Sequence, residues 1–176
     1  MTKFGNLDMN QSNVYLSGFM GSGKTAIYKK IYPLLNIKHF DLDEEIIKEH
    51  GKIETIFEEG EVHFRILERE VFSTIPNANC LVALGGGSLE VGEIYLKVKE
   101  SPNTFYLDDS FENLWERIKD SDRPLVKRGK DFVLDRYQLR KILSKKLPNV
   151  IDMSKTTISE AVEIIIESTW LKDARI

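Results

Sequence analysis

Cysteine is almost missing from this chain. Cys80 stands alone among 176 residues, so no internal disulfide can form and nothing ties the fold to an oxidising compartment. Long apolar runs are missing too: none approaches the roughly 18–20 residues that a bilayer-spanning helix needs. Residues 1–12 are polar and lack the apolar stretch of a secretion signal, so they read as an N-terminal extension and the protein as cytoplasmic. Nor is there a positive excess, since 25 basic and 28 acidic residues leave a net charge of −3. General nucleic-acid binders carry the opposite balance. Neither a membrane nor a nucleic acid is an expected partner. What remains, 41% hydrophobic and 30% charged residues, is the composition of one globular domain, expected over residues 13–172 and as a monomer.

Short β-rich runs alternate with stretches of helical period. Strands are expected at Asn13–Gly18, His39–Asp43, Cys80–Leu84, Asn103–Leu107 and Asn149–Ile151. Between them fall helices from Lys24 to about Leu35, at Ile46–His50, Ile53–Glu59 and Val62–Thr74, and near 90–100, 110–120, 131–147 and 158–171. This alternation implies an α/β fold, a five-stranded parallel sheet between helices. Residues 121–130 (SDRPLVKRGK) lack an apolar period and read as a loop long enough to act as a lid. Charge is uneven: residues 41–70 hold 11 acids and 4 bases, residues 121–146 hold 9 bases and 3 acids. A polyphosphate-facing surface and ordinary solvated helix faces both fit that imbalance.

The segment Gly18–Thr25 (GFMGSGKT) fits G-x-x-x-x-G-K-[ST] in full and lies between a predicted strand and a predicted helix, the context this motif requires. Its glycines let the N–H groups of Gly21, Ser22, Gly23, Lys24, Thr25 and Ala26 wrap a phosphate chain, and the following helix points its positive end at the same anion. Lys24 reaches the β and γ phosphates, and the Thr25 hydroxyl is a ligand for Mg²⁺. The N-K-x-D sequence that a GTPase uses to read its base does not occur, and the chain is far shorter than an ABC-type ATPase. A small kinase acting on a metabolite is the class that remains.

The acceptor side is less explicit. Asp41 and Asp43 are expected at the carboxyl end of the second strand, where ligands of open α/β sheets bind. One could hold hydrated Mg²⁺ and the other accept the proton of an acceptor hydroxyl; both could equally cap the next helix. Arg65, with Glu61 and Glu68 at helical spacing, is either an exposed ion-paired residue or a carboxylate-binding arginine. Gly85, Gly86 and Gly87 would let a ligand come close to the backbone. His39, His50 and His63 lack metal-ligand spacing, Trp115 with Phe111 reads as core, and Cys80 reads as a buried thiol.

Together the phosphate loop, FDLDEEI at 40–46, IFEEGEVHFRILERE at 56–70, LGGGS at 84–88 and RPL at 123–125 resemble the shikimate kinase family, in order and at fitting distances from about residue 13 to 166. The resemblance implies a P-loop kinase of the nucleoside-monophosphate-kinase type with a mobile lid. It implies transfer of the ATP γ-phosphoryl group to the 3-hydroxyl of shikimate, on the route to chorismate and the aromatic amino acids. By position, Asp43 would be the base on the substrate hydroxyls, and Asp41 with Thr25 would hold Mg²⁺. Arg65, oriented by Glu68, and Arg140 would bind the carboxylate, and Gly85–Gly87 would line the substrate. Arg123 falls on the lid arginine that reaches the transferring phosphates, and Arg117 on the arginine that lies along adenine. Where the family has Pro-Leu-Tyr shortly after the second carboxylate arginine, this chain has Lys141, Ile142, Leu143 and Ser144. A gluconate-kinase-like enzyme and a catalytically silent nucleotide-binding regulator are the alternatives.

Overall fold

The structure, a computed structural model, describes residues 11–176. Five parallel strands form one sheet in the order β2-β3-β1-β4-β5: β1 Val14–Gly18, β2 Lys38–Asp41, β3 Cys80–Ala83, β4 Thr104–Asp108 and β5 Asn149–Asp152. Eight α-helices connect and cover them: α1 Lys24–Ile31, α2 Leu42–His50, α3 Ile53–Glu58, α4 Glu61–Thr74, α5 Gly92–Glu100, α6 Phe111–Ile118, α7 Lys130–Ser144 and α8 Ile158–Glu167. The three central strands are apolar nearly throughout because both of their faces are covered. Alternate residues divide between two cores. Val14, Leu16, Leu81 and Phe105 pack with α1 and α8; Tyr15, Val82 and Tyr106 pack with α2, α4 and α5.

The sequence signals place most element ends within a residue or two, and the departures have local causes. The second strand stops at Asp41, not Asp43. Asp41 Oδ1 accepts the backbone N–H groups of Asp43 and Glu44 at 3.1 and 3.3 Å, so the helix begins at Leu42 and Asp43 lies in its first turn. The first helix ends at Ile31 rather than Leu35, because Pro33 offers no N–H to continue it and the chain tightens into a 3-10 turn at Tyr32–Leu34. The last helix ends at Glu167, and Thr169 caps a separate 3-10 helix, Trp170–Ala174.

The extension expected at 1–12 lies outside the described residues up to residue 10; Gln11 and Ser12 are already tied to the body. Ser12 pairs with Ala78, and its carbonyl accepts the Trp170 indole N–H at 2.9 Å. Pairing also continues past residue 172, since Leu35 bridges Arg175 and the N–H of Ile176 donates to Leu34. Among the described residues no helix is long and apolar enough to cross a membrane.

A third, smaller core lies beside the carboxyl ends of the strands. Phe19 and Met20 of the phosphate loop pack there with Phe111, Leu114 and Ile118 of α6 and Val133 of α7. Leu125 and Val126 join them, so the 121–130 segment is not the uniformly polar loop that its composition suggests. Its middle is pinned by two buried side chains, a 3-10 turn covers Val126–Arg128, and α7 already starts at Lys130. Asp122, Arg123 and residues 127–129 stay exposed.

Candidate active site

Everything chemical converges at the carboxyl ends of β1, β2 and β3. The phosphate loop leaves β1 and reaches α1 through Gly23, whose φ of 97° favours glycine and aims the first N–H groups of the helix into the loop. Lys24 Nζ donates to the Gly18 and Phe19 carbonyls at 2.7 and 2.9 Å. Burial pulls its ammonium down to about 8, opposed by Asp43 and helped by Arg123 and Arg140. A cavity of about 230 Å³ opens here, lined by Gly21, Gly23, Lys24, Thr25 and Ala26 from the loop and by Asp41 from the neighbouring strand.

A second cavity, about 330 Å³, adjoins the first. Its polar wall is Asp43, Arg65, Glu68, Gly85–Gly87 and Arg140, and its apolar wall includes Phe57, Phe64 and Leu125. Met20, Asp43, Gly86 and Arg123 line both cavities. Asp43 and Arg123 therefore stand at the junction, where a group held on one side would meet a group held on the other.

The charged side chains of the second cavity are strongly ordered. Arg65 is not an exposed ion pair. Its Nη1 donates to Glu68 at 2.7 Å and its Nη2 to Glu61 at 3.4 Å. Burial works against the Arg65 charge, but Glu68, Glu90 and Glu61 outweigh it and hold the guanidinium above its ordinary value. Glu68, 0% exposed, also accepts the buried Ser88 hydroxyl. Arg140 comes from α7, is 1% exposed and gives its Nε to Glu90 at 2.6 Å. Burial lowers it, and Glu90 partly compensates.

Arg140 Nη1, Arg140 Nη2 and Arg65 Nε are buried without a hydrogen-bond partner among the described residues. Both guanidiniums crowd Gly87: a β-carbon there would overlap Arg65 Nη2 and stand 2.8 Å from Arg140 Nη2, so any side chain at this position would push the two guanidiniums out of place. Two cations side by side, Arg140 buried and Arg65 largely so, with unused donors between them form a receptor for an anion that can accept several hydrogen bonds, a carboxylate above all.

Asp43 Oδ1 and Glu68 Oε1 lie 2.8 and 2.9 Å from the position a β-carbon would take on Gly85. Burial and Glu68 raise the Asp43 carboxyl, against Lys24, Arg123 and Arg65. Asp41 is pushed up to about 6 by burial and by Asp43, against the two amides it caps. Its Oδ1 serves those amides, leaving Oδ2 for a ligand. Thr25 and Asp41 face the same cavity and bring hard oxygens, the donor type that Mg²⁺ takes alongside water and phosphate. Among the described residues no group of three His, Cys, Asp or Glu is placed to hold a metal ion. His39 instead meets the Tyr28 hydroxyl at 2.7 Å and stacks on Tyr32.

Arg117 stands at another edge of the phosphate loop. Its Nη1 donates to the Gly21 carbonyl at 3.1 Å and its Nη2 pairs with Asp109 at 2.8 Å. Beside it lies a cleft whose far wall, Met153, Thr156, Thr157 and Ile158, was not foreseen from sequence. Glu90 and Arg136 were not foreseen either. Neither belongs to a motif, and only the four-residue spacing of Arg136 and Arg140 hinted that both share a face of α7.

A β2-β3-β1-β4-β5 parallel sheet, with a phosphate loop after β1 and an acceptor cavity against it, defines a P-loop phosphotransferase of the nucleoside-monophosphate-kinase type. A family model described as shikimate kinase matches residues 20–170. The chain is 39% identical over 133 residues to the shikimate kinase of Persephonella marina, covering 73% of this chain and 81% of that protein. To that of a Sulfurihydrogenibium species it is 37% identical over 158 residues, covering 88% and 95%. Among solved structures, the shikimate kinase of Acinetobacter baumannii in complex with shikimate superposes with a TM-score of 0.76 at 28% identity, covering 91% of this chain and 96% of that one. The chain belongs to the shikimate kinase family and is an ATP-dependent kinase. That membership sets aside the gluconate-kinase and regulator alternatives.

Proposed function

We propose that this kinase transfers the γ-phosphoryl group of ATP to the 3-hydroxyl of shikimate, giving shikimate 3-phosphate and ADP. The observation that carries the reading is the pair of neighbouring guanidiniums, Arg140 buried and Arg65 largely so, with unused donors in the cavity that adjoins the phosphate loop. They fix the end of an acceptor that bears a carboxylate, and so present its ring hydroxyls to Asp43.

ATP lies with its phosphates on the loop from Gly21 to Ala26 and its base between Arg117 and the wall formed by Met153, Thr156 and Ile158. Thr25 and Asp41 hold Mg²⁺, which neutralises phosphate charge when bound. Arg65 and Arg140 take the carboxylate while the Gly85–Gly87 backbone flanks the ring. The 3-hydroxyl oxygen forms its bond to the γ-phosphorus as the bond from that phosphorus to the β–γ bridging oxygen breaks. ADP leaves with that electron pair. The hydroxyl proton passes to Asp43, whose raised carboxyl makes it a stronger base than an exposed aspartate. Lys24 and Arg123 face the moving charge from the loop and from the lid side. All these groups come from one chain, so a monomer suffices.

Release of ADP followed with shikimate, with gluconate and without acceptor tests this directly. Turnover with shikimate alone is expected. Equal rates with gluconate, or with no acceptor, would overturn the acceptor assignment.

A further inference from the structure

The two carboxylate arginines are the ends of a chain of charges that alternates in sign. Arg65 Nη2 meets Glu61 at 3.4 Å; Glu61 meets Arg136 Nη2 at 3.0 Å. Arg136 Nη1 meets Glu90 at 2.8 Å, and Glu90 meets Arg140 Nε at 2.6 Å. Each glutamate bridges two arginines, and Arg136 bridges the two glutamates. Three segments are tied in this way: α4, the 3-10 turn after β3 that carries Glu90, and α7. Neither Glu61, Glu90 nor Arg136 lines the acceptor cavity.

Glu90 is the only hydrogen-bond partner of Arg140 among the described residues. It holds the guanidinium at Nε and leaves both Nη atoms without a partner where Arg140 lines the cavity. Arg65 and Arg136 both disfavour the Arg140 charge. Without Glu90, a buried cation would face two others, and the Phe19 ring, 5.1 Å from its Cζ, would be left to orient the guanidinium without any hydrogen bond. Glu90 is held in turn. Its second oxygen is fixed by Arg136, whose guanidinium also lies 5.3 Å from the centroid of the Phe132 ring.

We propose that Glu90 and Arg136 are positioning residues for acceptor recognition: without touching the acceptor, they fix Arg140 relative to Arg65 so that one carboxylate spans both. This rests on the acceptor reading above. It makes the selectivity of the site depend on two residues that belong to none of the sequence motifs.

The test is steady-state kinetics on the parent, Glu90→Ala, Glu90→Gln and Arg136→Met, with shikimate and with its neutral carboxamide as acceptors. For Glu90→Ala the KM for shikimate should rise about tenfold, and for Arg136→Met about threefold to fivefold. The KM for ATP and the kcat at saturation should stay within about twofold, because neither residue faces the nucleotide or the reacting atoms. Glu90→Gln keeps an oxygen for Arg140 Nε and should recover part of the loss. With the carboxamide, the penalty of Glu90→Ala should shrink to less than about twofold, since no carboxylate remains to be misaligned.

An unchanged KM for shikimate in both Glu90→Ala and Arg136→Met overturns the proposal. So does an equal penalty with the carboxamide, which would make the role purely structural. Arg136, 27% exposed, tolerates replacement without burying a hole, so Arg136→Met decides the matter if Glu90→Ala does not fold. A parent that does not phosphorylate shikimate overturns the acceptor reading and this inference together; an active parent with unaffected variants overturns this inference alone.

Discussion

The two halves of the cleft are built by opposite means. The nucleotide side is built around a single stretch of backbone, Gly18–Thr25, whose one lysine rests on the loop's own carbonyls. The acceptor side is made mostly of side chains from α2, α3, α4, α7 and the 122–125 segment around the Gly85–Gly87 backbone, brought together only by folding. Backbone N–H donors are held by the covalent chain and the helix behind them, so they carry no rotamer entropy and no net charge to neutralise. Side-chain donors offer stronger, directional binding, but each buried charge needs a partner that fixes it. The acceptor side meets that need with Glu61, Glu68 and Glu90 opposite Arg65, Arg136 and Arg140.

Substitutions can break this comparison at graded strength. Lys24→Ala removes the one charge that the phosphate loop itself contributes; turnover should fall by about 10³-fold with melting unchanged. Near-normal turnover would mean that the loop is not the transfer site. Asp43→Asn, at the junction, keeps shape and removes the proposed base, and kcat should drop roughly 10²-fold. Lost stability with full specific activity would instead make Asp43 a helix-start residue only. Arg65→Ala and Arg140→Ala should each weaken shikimate binding by at least about tenfold while leaving ATP binding nearly unchanged. Binding of shikimate as in the parent by both variants would remove the carboxylate pocket.

The smallest effect sharpens the electrostatic side of the contrast. Asp41 titrates near 6 in the fold and near 3.8 as an ordinary carboxyl. Between those values the folded protein binds the extra proton, so stability falls as pH rises through that window. Asn caps a helix about as well as Asp. Asp41→Asn should therefore melt a few degrees (~3–5 °C) higher than the parent at pH 7, with the difference vanishing near pH 4. A variant that melts lower at pH 7 would show that the Asp41 charge stabilises α2 more than burial opposes it.

How legible each half was follows from the same contrast. The phosphate loop is one contiguous motif, and its place between β1 and α1 can be read directly from eight residues. The five strands and the parallel sheet between helices also follow from short apolar runs alternating with helices, whereas the strand order β2-β3-β1-β4-β5 comes from the structure. The second strand was extended too far because Phe40, Asp41, Leu42 and Asp43 alternate with the period of a strand, while the cap that starts α2 at Leu42 is a side-chain event. Leu125 and Val126 are two apolar residues in a basic loop, too few to set a period, and only the third core reveals what they do. Glu90 carried no signal, and Arg136 only its spacing from Arg140, because their meaning lies in a pairing across 46 residues of chain. The cleft wall at Met153–Ile158 likewise has no motif, since it presents shape rather than charge.

The placement of the two tryptophans gives the protein a built-in optical readout. Trp170 is buried in the core packed on α1 and α8, with its indole N–H bound to Ser12. Trp115 is half-buried against the third core, stacked on Phe111, with the Lys130 ammonium 6.0 Å from its ring centroid. Any movement of the segment that carries Leu125, Val126 and Lys130 changes the polarity and charge around Trp115 and leaves Trp170 untouched. In a Trp170→Phe protein, the remaining emission should shift when ATP and shikimate are added together, and an unmoved spectrum would speak against closure. The rim of the cleft can thus be watched in its native sequence context, with no label attached to the moving part.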